Sequence, residues 1–168
     1  MTAERALSYE VKAGLEPVTA FTVCGLSAVI DNGEGRAAEQ INDLWQVFFE
    51  KQVARLIEGK KSDVIYAVYS DYEGDHTQPY RLTVGYVVEG GAPETGEGLF
   101  TVSVEAGTYA TLSARGPQPK SLVDTWVSVW ESDLERTFHS DFEVYGPRFF
   151  DEGVHEVLLY IGIREPKA

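Results

Sequence analysis

The strongest constraint on this chain is a change of apolar period that happens twice, in the same order. FTVCGLSAVI (21–30) is a β-rich apolar run closed by the turn signal DNGEG. From Arg36 to about Glu58, Ile41, Leu44, Trp45, Phe48, Phe49, Ala54 and Leu56 recur at steps near three and four. That spacing predicts one long helix, with Gly59 as its stop. VIYAVYS (64–70) and YRLTVGYVVE (80–89) follow as strands, joined by DYEGDHTQP, which is too long for a tight hairpin. Beyond the acidic connector EGGAPETGEG (89–98) the series restarts. LFTVSVEAGTYATLSA (99–114) is strand-like, with an internal turn at Ala106 and Gly107. Leu122, Trp126, Val129, Trp130 and Leu134 then mark a helical face between about Pro119 and Phe138. DFEVYG (141–146) and HEVLLYIGI (155–163) close the second half as strands.

Each half therefore reads β-α-β-β, although residue identity between the halves is weak. Hairpin-connected strands with segregated helices predict an α+β fold rather than a doubly wound parallel sheet. The expected unit is a single domain over residues 1–168, with one repeat at about 9–89 and the other at about 99–164.

Composition narrows the chemistry. With 43% hydrophobic and 24% charged residues in 168, the chain can bury one sizeable core or form two small fused halves. A net charge of −13 argues against a DNA-binding surface, which needs clustered Lys and Arg against phosphate. Cys24 is the only cysteine and sits in an apolar run, so it is expected to pack as a small hydrophobe. The N-terminal segment has no apolar signal-peptide core, and no stretch approaches the roughly 20 apolar residues of a membrane span. Those features predict a cytoplasmic protein without a membrane partner.

Familiar catalytic patterns are absent. The Gly-rich connector lacks G-x-x-x-x-G-K-[ST], and no G-x-S-x-G elbow exists. His76, His139 and His155 have no metal-binding spacing, and no cysteine cluster accompanies them. Asp71, Glu73 and Asp75 begin like a calcium loop but do not complete one. No metal and no cofactor is expected.

SDFEVYGPRF (140–149) is the stretch that suggests a site. Phe142 and Val144 share one face of the predicted strand, and Asp141, Glu143 and Tyr145 share the other. Glu143 is either a wetted residue in an acidic protein or the floor of a pocket that recruits a cation. Removing a carboxylate from water costs several kcal/mol unless it is paired or protonated, so the pocket alternative carries a definite chemical demand. Three Trp, 9 Tyr and 8 Phe supply rings that attract cations.

EAGTYATLSARGP, LVDTWVSVWESDL, DFEVYGPRF and the terminal EVLLYIGI together resemble the GyrI-like small-molecule-binding family. INDLWQVFFE and VIYAVYSDYEGDHTQPYRLTVGYVV look like that family's first repeat. These are effector-binding domains found alone or attached to AraC-type and MerR-type transcription regulators. The resemblance runs from about Tyr9 to Arg164. It implies duplicated β-α-β-β repeats, a curved antiparallel sheet and two long helices, with a ligand cleft between the repeats. It also implies a strand glutamate that meets lipophilic cations, carried over through its F-E-x-Y context onto Glu143.

The expected ligand-binding set is Glu143, Tyr145, Trp45, Trp126, Phe49, Tyr66, Tyr86, Trp130 and Tyr160. Tyr109 is expected to be structural. The implied function is a standalone binder of small amphipathic cations or drugs, to which a separate regulatory protein could be partner. An enzymatic alternative on this scaffold hydrolyses cyclopropane-bearing alkylating compounds, with Glu143 as general base. A gyrase-inhibitor-like interaction module is a third class. A DNA-binding helix-turn-helix is not inherited, because the chain has neither the room nor the basic patch for one.

Overall fold

The computed structural model describes residues 15–31, 37–57, 60–62, 64–74, 79–89, 99–114, 120–131, 135–146 and 156–164, apart from the side chain of Ser121. Eight strands build one antiparallel open sheet: β1 (Leu15–Val18), β2 (Phe21–Ile30), β3 (Ile65–Ser70), β4 (Tyr80–Val88), β5 (Phe100–Val104), β6 (Gly107–Ala114), β7 (Arg136–Tyr145) and β8 (Val157–Ile163). Two helices, α1 (Ala37–Glu50) and α2 (Lys120–Trp130), follow β2 and β6. This is the α+β class the sequence predicts.

The strand order, β1-β6-β8-β7-β3-β4-β2-β5, reads the same from either end once the halves are interchanged. Each half supplies a group, β2-β4-β3 or β6-β8-β7, and β3 pairs with β7 at the centre. The strand preceding each group crosses to the other half, so β1 pairs with β6 and β5 with β2. β1 is absent from the sequence reading. Its LEPV is mostly exposed and carries Pro17, which an edge strand tolerates but which hides any alternation.

The sheet curls away from its helices. Phe21 of β2 and Phe142 of β7 have ring centroids 5.2 Å apart, although β4 and β3 lie between their strands. In a flat sheet three strand spacings would separate them by about 14 Å. Gly25 and Gly85, partners in the β2–β4 ladder, mark the bend. A Cβ on Gly25 would lie 1.9 Å from the Val84 carbonyl oxygen, and one on Gly85 would lie 2.0 Å from that of Cys24. No other residue type fits such close backbone approach.

Both helices lie on the convex face. Leu44, Phe48, Trp126 and Val129 bury there against Cys24, Leu26, Leu82, Val84, Leu112, Leu159 and Ile161. Cys24 is buried and reads as a packing residue, with burial pushing its thiol up. A smaller cluster on the concave face joins Val23, Val68, Val104, Tyr109 and Phe142. Tyr109 donates its hydroxyl to the Glu105 carbonyl across the β5–β6 turn, 2.8 Å away, in keeping with a structural role.

Element ends differ from the periodic reading in two places. α1 stops at Glu50, because Gln52 adopts a left-handed conformation with φ 49, and a 3₁₀ turn at Val53–Arg55 follows. That turn keeps Val53 and Ile57 buried, so the apolar spacing runs on after the helix has ended. Glu58 and Gly59 lie outside the described residues. α2 ends at Trp130, and Arg136 to Phe138, predicted helical, open β7 instead. Phe138 has φ 57, and the β7–β8 register shifts between Arg136 and Asp141, so an irregular strand start disguises itself as helical spacing. Leu134 and Pro119 lie outside the described residues.

Candidate functional site

The β3–β7 ladder is symmetric about one pair, Ala67 opposite Glu143, with Ile65 facing Tyr145 and Tyr69 facing Asp141 on either side. Val68-Tyr69 and Val144-Tyr145 therefore occupy equivalent steps of the two halves. On this face the residue at the centre of symmetry is Glu143, and its counterpart is Ala67. A second carboxylate at 67 would stand beside the first out of water, where like charges cannot both ionise. The halves must differ at this position.

Glu143 is 1% exposed. Tyr145 donates its hydroxyl to Oε1 at 2.6 Å, while the Tyr69 hydroxyl and the Trp126 Nε1–H both donate to Oε2 at 2.7 Å. Hydrogen bonds to a charged group contribute about 1.5–3 kcal/mol each, which offsets much of the cost of burying the carboxylate. Burial pushes the Glu143 carboxyl above the usual carboxylate range, while the bonds from Tyr145, Trp126 and Tyr69 pull it down; burial prevails. Tyr69 and Tyr145 are held well above the ordinary phenol value by burial and by the field of Glu143. They therefore remain donors throughout any physiological range. Tyr80, packed at 5.5 Å from Tyr69, is pushed up to about 12 by burial and the same field.

The aromatic walls cross between halves. Trp45 of α1 meets Tyr145 of β7 at 4.9 Å, and Trp126 of α2 meets Tyr69 of β3 at 5.0 Å. Each helix thus places its tryptophan on the tyrosine of the opposite half. The helix tryptophans lie over the two tyrosines that hold the carboxylate.

Asp141, two residues earlier on the same face, shows what Glu143 lacks. It is fully buried and pairs with Arg136 Nη2 at 2.7 Å. It also accepts the Tyr72 hydroxyl and the Gly162 N–H. The Arg136 guanidinium is packed against Phe138, Tyr72 and Trp126 at 4.2, 5.8 and 5.9 Å. One buried acid carries its own cation in an aromatic surround. Among the described residues no basic side chain pairs with the other.

The nine predicted ligand residues divide. Glu143, Tyr145, Trp45 and Trp126 converge, and Tyr86 lines the same face, stacked on Phe48 at 5.8 Å. Phe49 and Trp130 stand at the periphery, 56% and 41% exposed, stacked on Trp45 and tilted against Trp126 respectively. Tyr66 and Tyr160 stand apart from the Glu143 cluster. They alternate with Ala67 and with Leu159 and Ile161, so they point to the concave face and pack on Phe142 at 6.0 and 4.6 Å. Sequence reasoning missed Tyr69, Tyr80, Tyr72 and Arg136. Tyr69 had a signal, since AVYS repeats the VY of EVYG two residues from the ladder centre. Arg136 has none, because the sequence places it within the helical stretch that runs to Phe138. Among the described residues no group of three or more His, Cys, Asp or Glu is placed to hold a metal. His139 faces Glu105 at 3.1 Å. His76 and His155 lie outside the described residues.

Known proteins are similar to this chain over most of its length. The YobU protein of Bacillus subtilis (strain 168), whose name suggests a transcriptional-regulator role, is 28% identical over 146 residues, covering 84% of this chain and 91% of its own. An integron cassette protein from the mobile metagenome of Vibrio cholerae is 24% identical with a TM-score of 0.69, over 90% of this chain and 95% of that one. SAV2435, solved bound to tetraphenylphosphonium, superposes with the same TM-score of 0.69 at 15% identity, over 90% and 93% of the two chains. No helix among the described residues is long and apolar enough to cross a membrane. The model of the integron-associated effector binding protein family, Cass2, matches residues 15–163, and the chain belongs to that family.

Proposed function

We propose that the chain binds lipophilic organic cations beneath its two helices, with Glu143 as their counter-charge. The observation that carries this is a buried carboxylate held by three donors, walled by tryptophan and tyrosine, and paired with no base among the described residues. A carboxylate offers about four acceptor sites, and three are taken. The arrangement therefore favours a cation that attracts by charge and stacking without donating hydrogen bonds, such as a quaternary or delocalised one. The tetraphenylphosphonium held by SAV2435 is of that kind. The two repeats, about residues 9–89 and 99–164, act as one unit, because the site takes side chains from both. On this reading the protein is a cytoplasmic effector-binding or drug-sequestering protein.

Tryptophan quenching by a cationic dye and by its neutral isostere tests the reading, and the cation should bind more tightly. Turnover of a cyclopropane-bearing compound in the same assay would favour the enzymatic alternative, with Glu143 as base. Cation affinity should fall about tenfold per pH unit as pH drops through the raised Glu143 value, because protonation removes the counter-charge. Tyr145→Phe removes one bond that lowers that value, so the fall should begin at higher pH than in the parent. An unmoved profile in Tyr145→Phe would show that another group sets the pH dependence. Duplex DNA should give no gel shift at physiological salt, given the net charge of −13.

A further inference from the structure

The concave face holds an open groove of about 590 Å³, lined by neither Glu143 nor its three donors. Ser70 and Ser140, paired across β3 and β7, alternate with Tyr69 and Asp141 and so point away from the helices. With Asp71, Phe100, Glu105 and Phe138 they line this space. Its volume falls within the range of small-molecule pockets. At its wall the Ser70 Oγ is buried, and the residue is 4% exposed, yet it has no hydrogen-bond partner. A buried hydroxyl without a partner is a desolvated group left uncompensated, an imbalance that a bound polar group would correct.

The wall also indicates what that group is. Its charged oxygens belong to Asp71, 3.3 Å from Arg81, and to Glu105, 3.1 Å from His139. Each carboxylate keeps acceptor sites beyond its single partner. Phe100 and Phe138 already draw cations, with Arg81 and Arg136 over their rings at 4.6 and 4.2 Å. Among the described residues neither Lys nor Arg lines it. Anions are disfavoured, and bulky lipophilic cations find hydroxyls here in place of a tryptophan roof. We propose that this groove is a second ligand site, separate from Glu143, which takes a small aliphatic amine or diamine. Its alkyl part would lie along Phe100 and Phe138, and its ammonium groups would donate to Ser70 Oγ and to the carboxylates of Asp71 and Glu105.

The test is an amide NMR titration of the full chain with 1,4-diaminobutane. Saturable shifts are expected at Ser70, Asp71, Tyr72 and Thr101 to Ser103, with the Trp126 indole N–H unmoved. Glu105→Gln, at an exposed position that the fold does not need, should weaken binding at least about fivefold, and Ser70→Val about tenfold. Neither should change the quenching caused by tetraphenylphosphonium, so the two sites are read separately. The proposal is overturned if no shift saturates below about 10 mM, if the shifts map around Glu143, or if Glu105→Gln binds like the parent. Equal binding of 1,4-butanediol would likewise overturn the amine assignment.

Discussion

Replacing Glu143 with glutamine should weaken binding of a lipophilic cation by about 2–4 kcal/mol, the scale for removing one partner of a desolvated charge pair. Glutamine preserves shape and can still accept from Tyr69, Tyr145 or Trp126, so the fold should survive. It should also become more stable at neutral pH. The Glu143 carboxyl lies above its unfolded value, so between the two values the folded chain holds more protons than the unfolded one. Stability contributed by this group is therefore full below the unfolded value and is lost as pH rises through the raised one. The stabilisation in Glu143→Gln should appear across that window and vanish at more acidic pH. Fluorescence titration with a cationic dye and thermal melts at several pH values read both effects. A variant that binds as tightly as the parent would return Glu143 to being a buried residue with no ligand role.

The second large effect lies away from the site. Gly25→Ala or Gly85→Ala should cost about 3 kcal/mol or more, because each added Cβ would sit near 2 Å from a backbone carbonyl oxygen of the paired strand. Backbone cannot rotate aside as a side chain can, so the β2–β4 ladder would have to open. Gly146→Ala is the control: among the described residues its Cβ would meet nothing within 4 Å, and it should change stability by no more than about 0.5 kcal/mol. Urea denaturation compares the three. If Gly25→Ala proved as mild as Gly146→Ala, the curl of the sheet would not depend on paired glycines.

Much of this fold was legible because its signals are periodic. FTVCGLSAVI is β2 from end to end, and the two helical stretches carry their apolar residues at helical steps. Glu143 and Tyr145 were legible as neighbours on one strand face, since alternation needs no tertiary information. Trp45 and Trp126 were legible as members of the two helical apolar series. What remained hidden depends on register between strands. Which of Tyr66 and Tyr69 turns toward the helices is open until the β3–β7 pairing fixes the face, and the same holds for Tyr160 on β8. The exchange of β1 and β5 between halves leaves no mark in local pattern. Arg136 was hidden by a strand that begins with an irregular, left-handed residue at Phe138, where local spacing imitates a helix.

The most direct measurement is a crystal structure of the protein with tetraphenylphosphonium. The charged centre should lie within about 6 Å of the Glu143 carboxylate, where a unit pair in a dry site retains strong attraction. The rings of Trp45, Trp126, Tyr69 and Tyr145 should pack around it, and at least one helix tryptophan should be displaced from its present contact. A cation seated on the concave face, with Glu143 still closed under Trp126 and its three donors unchanged, would contradict the account.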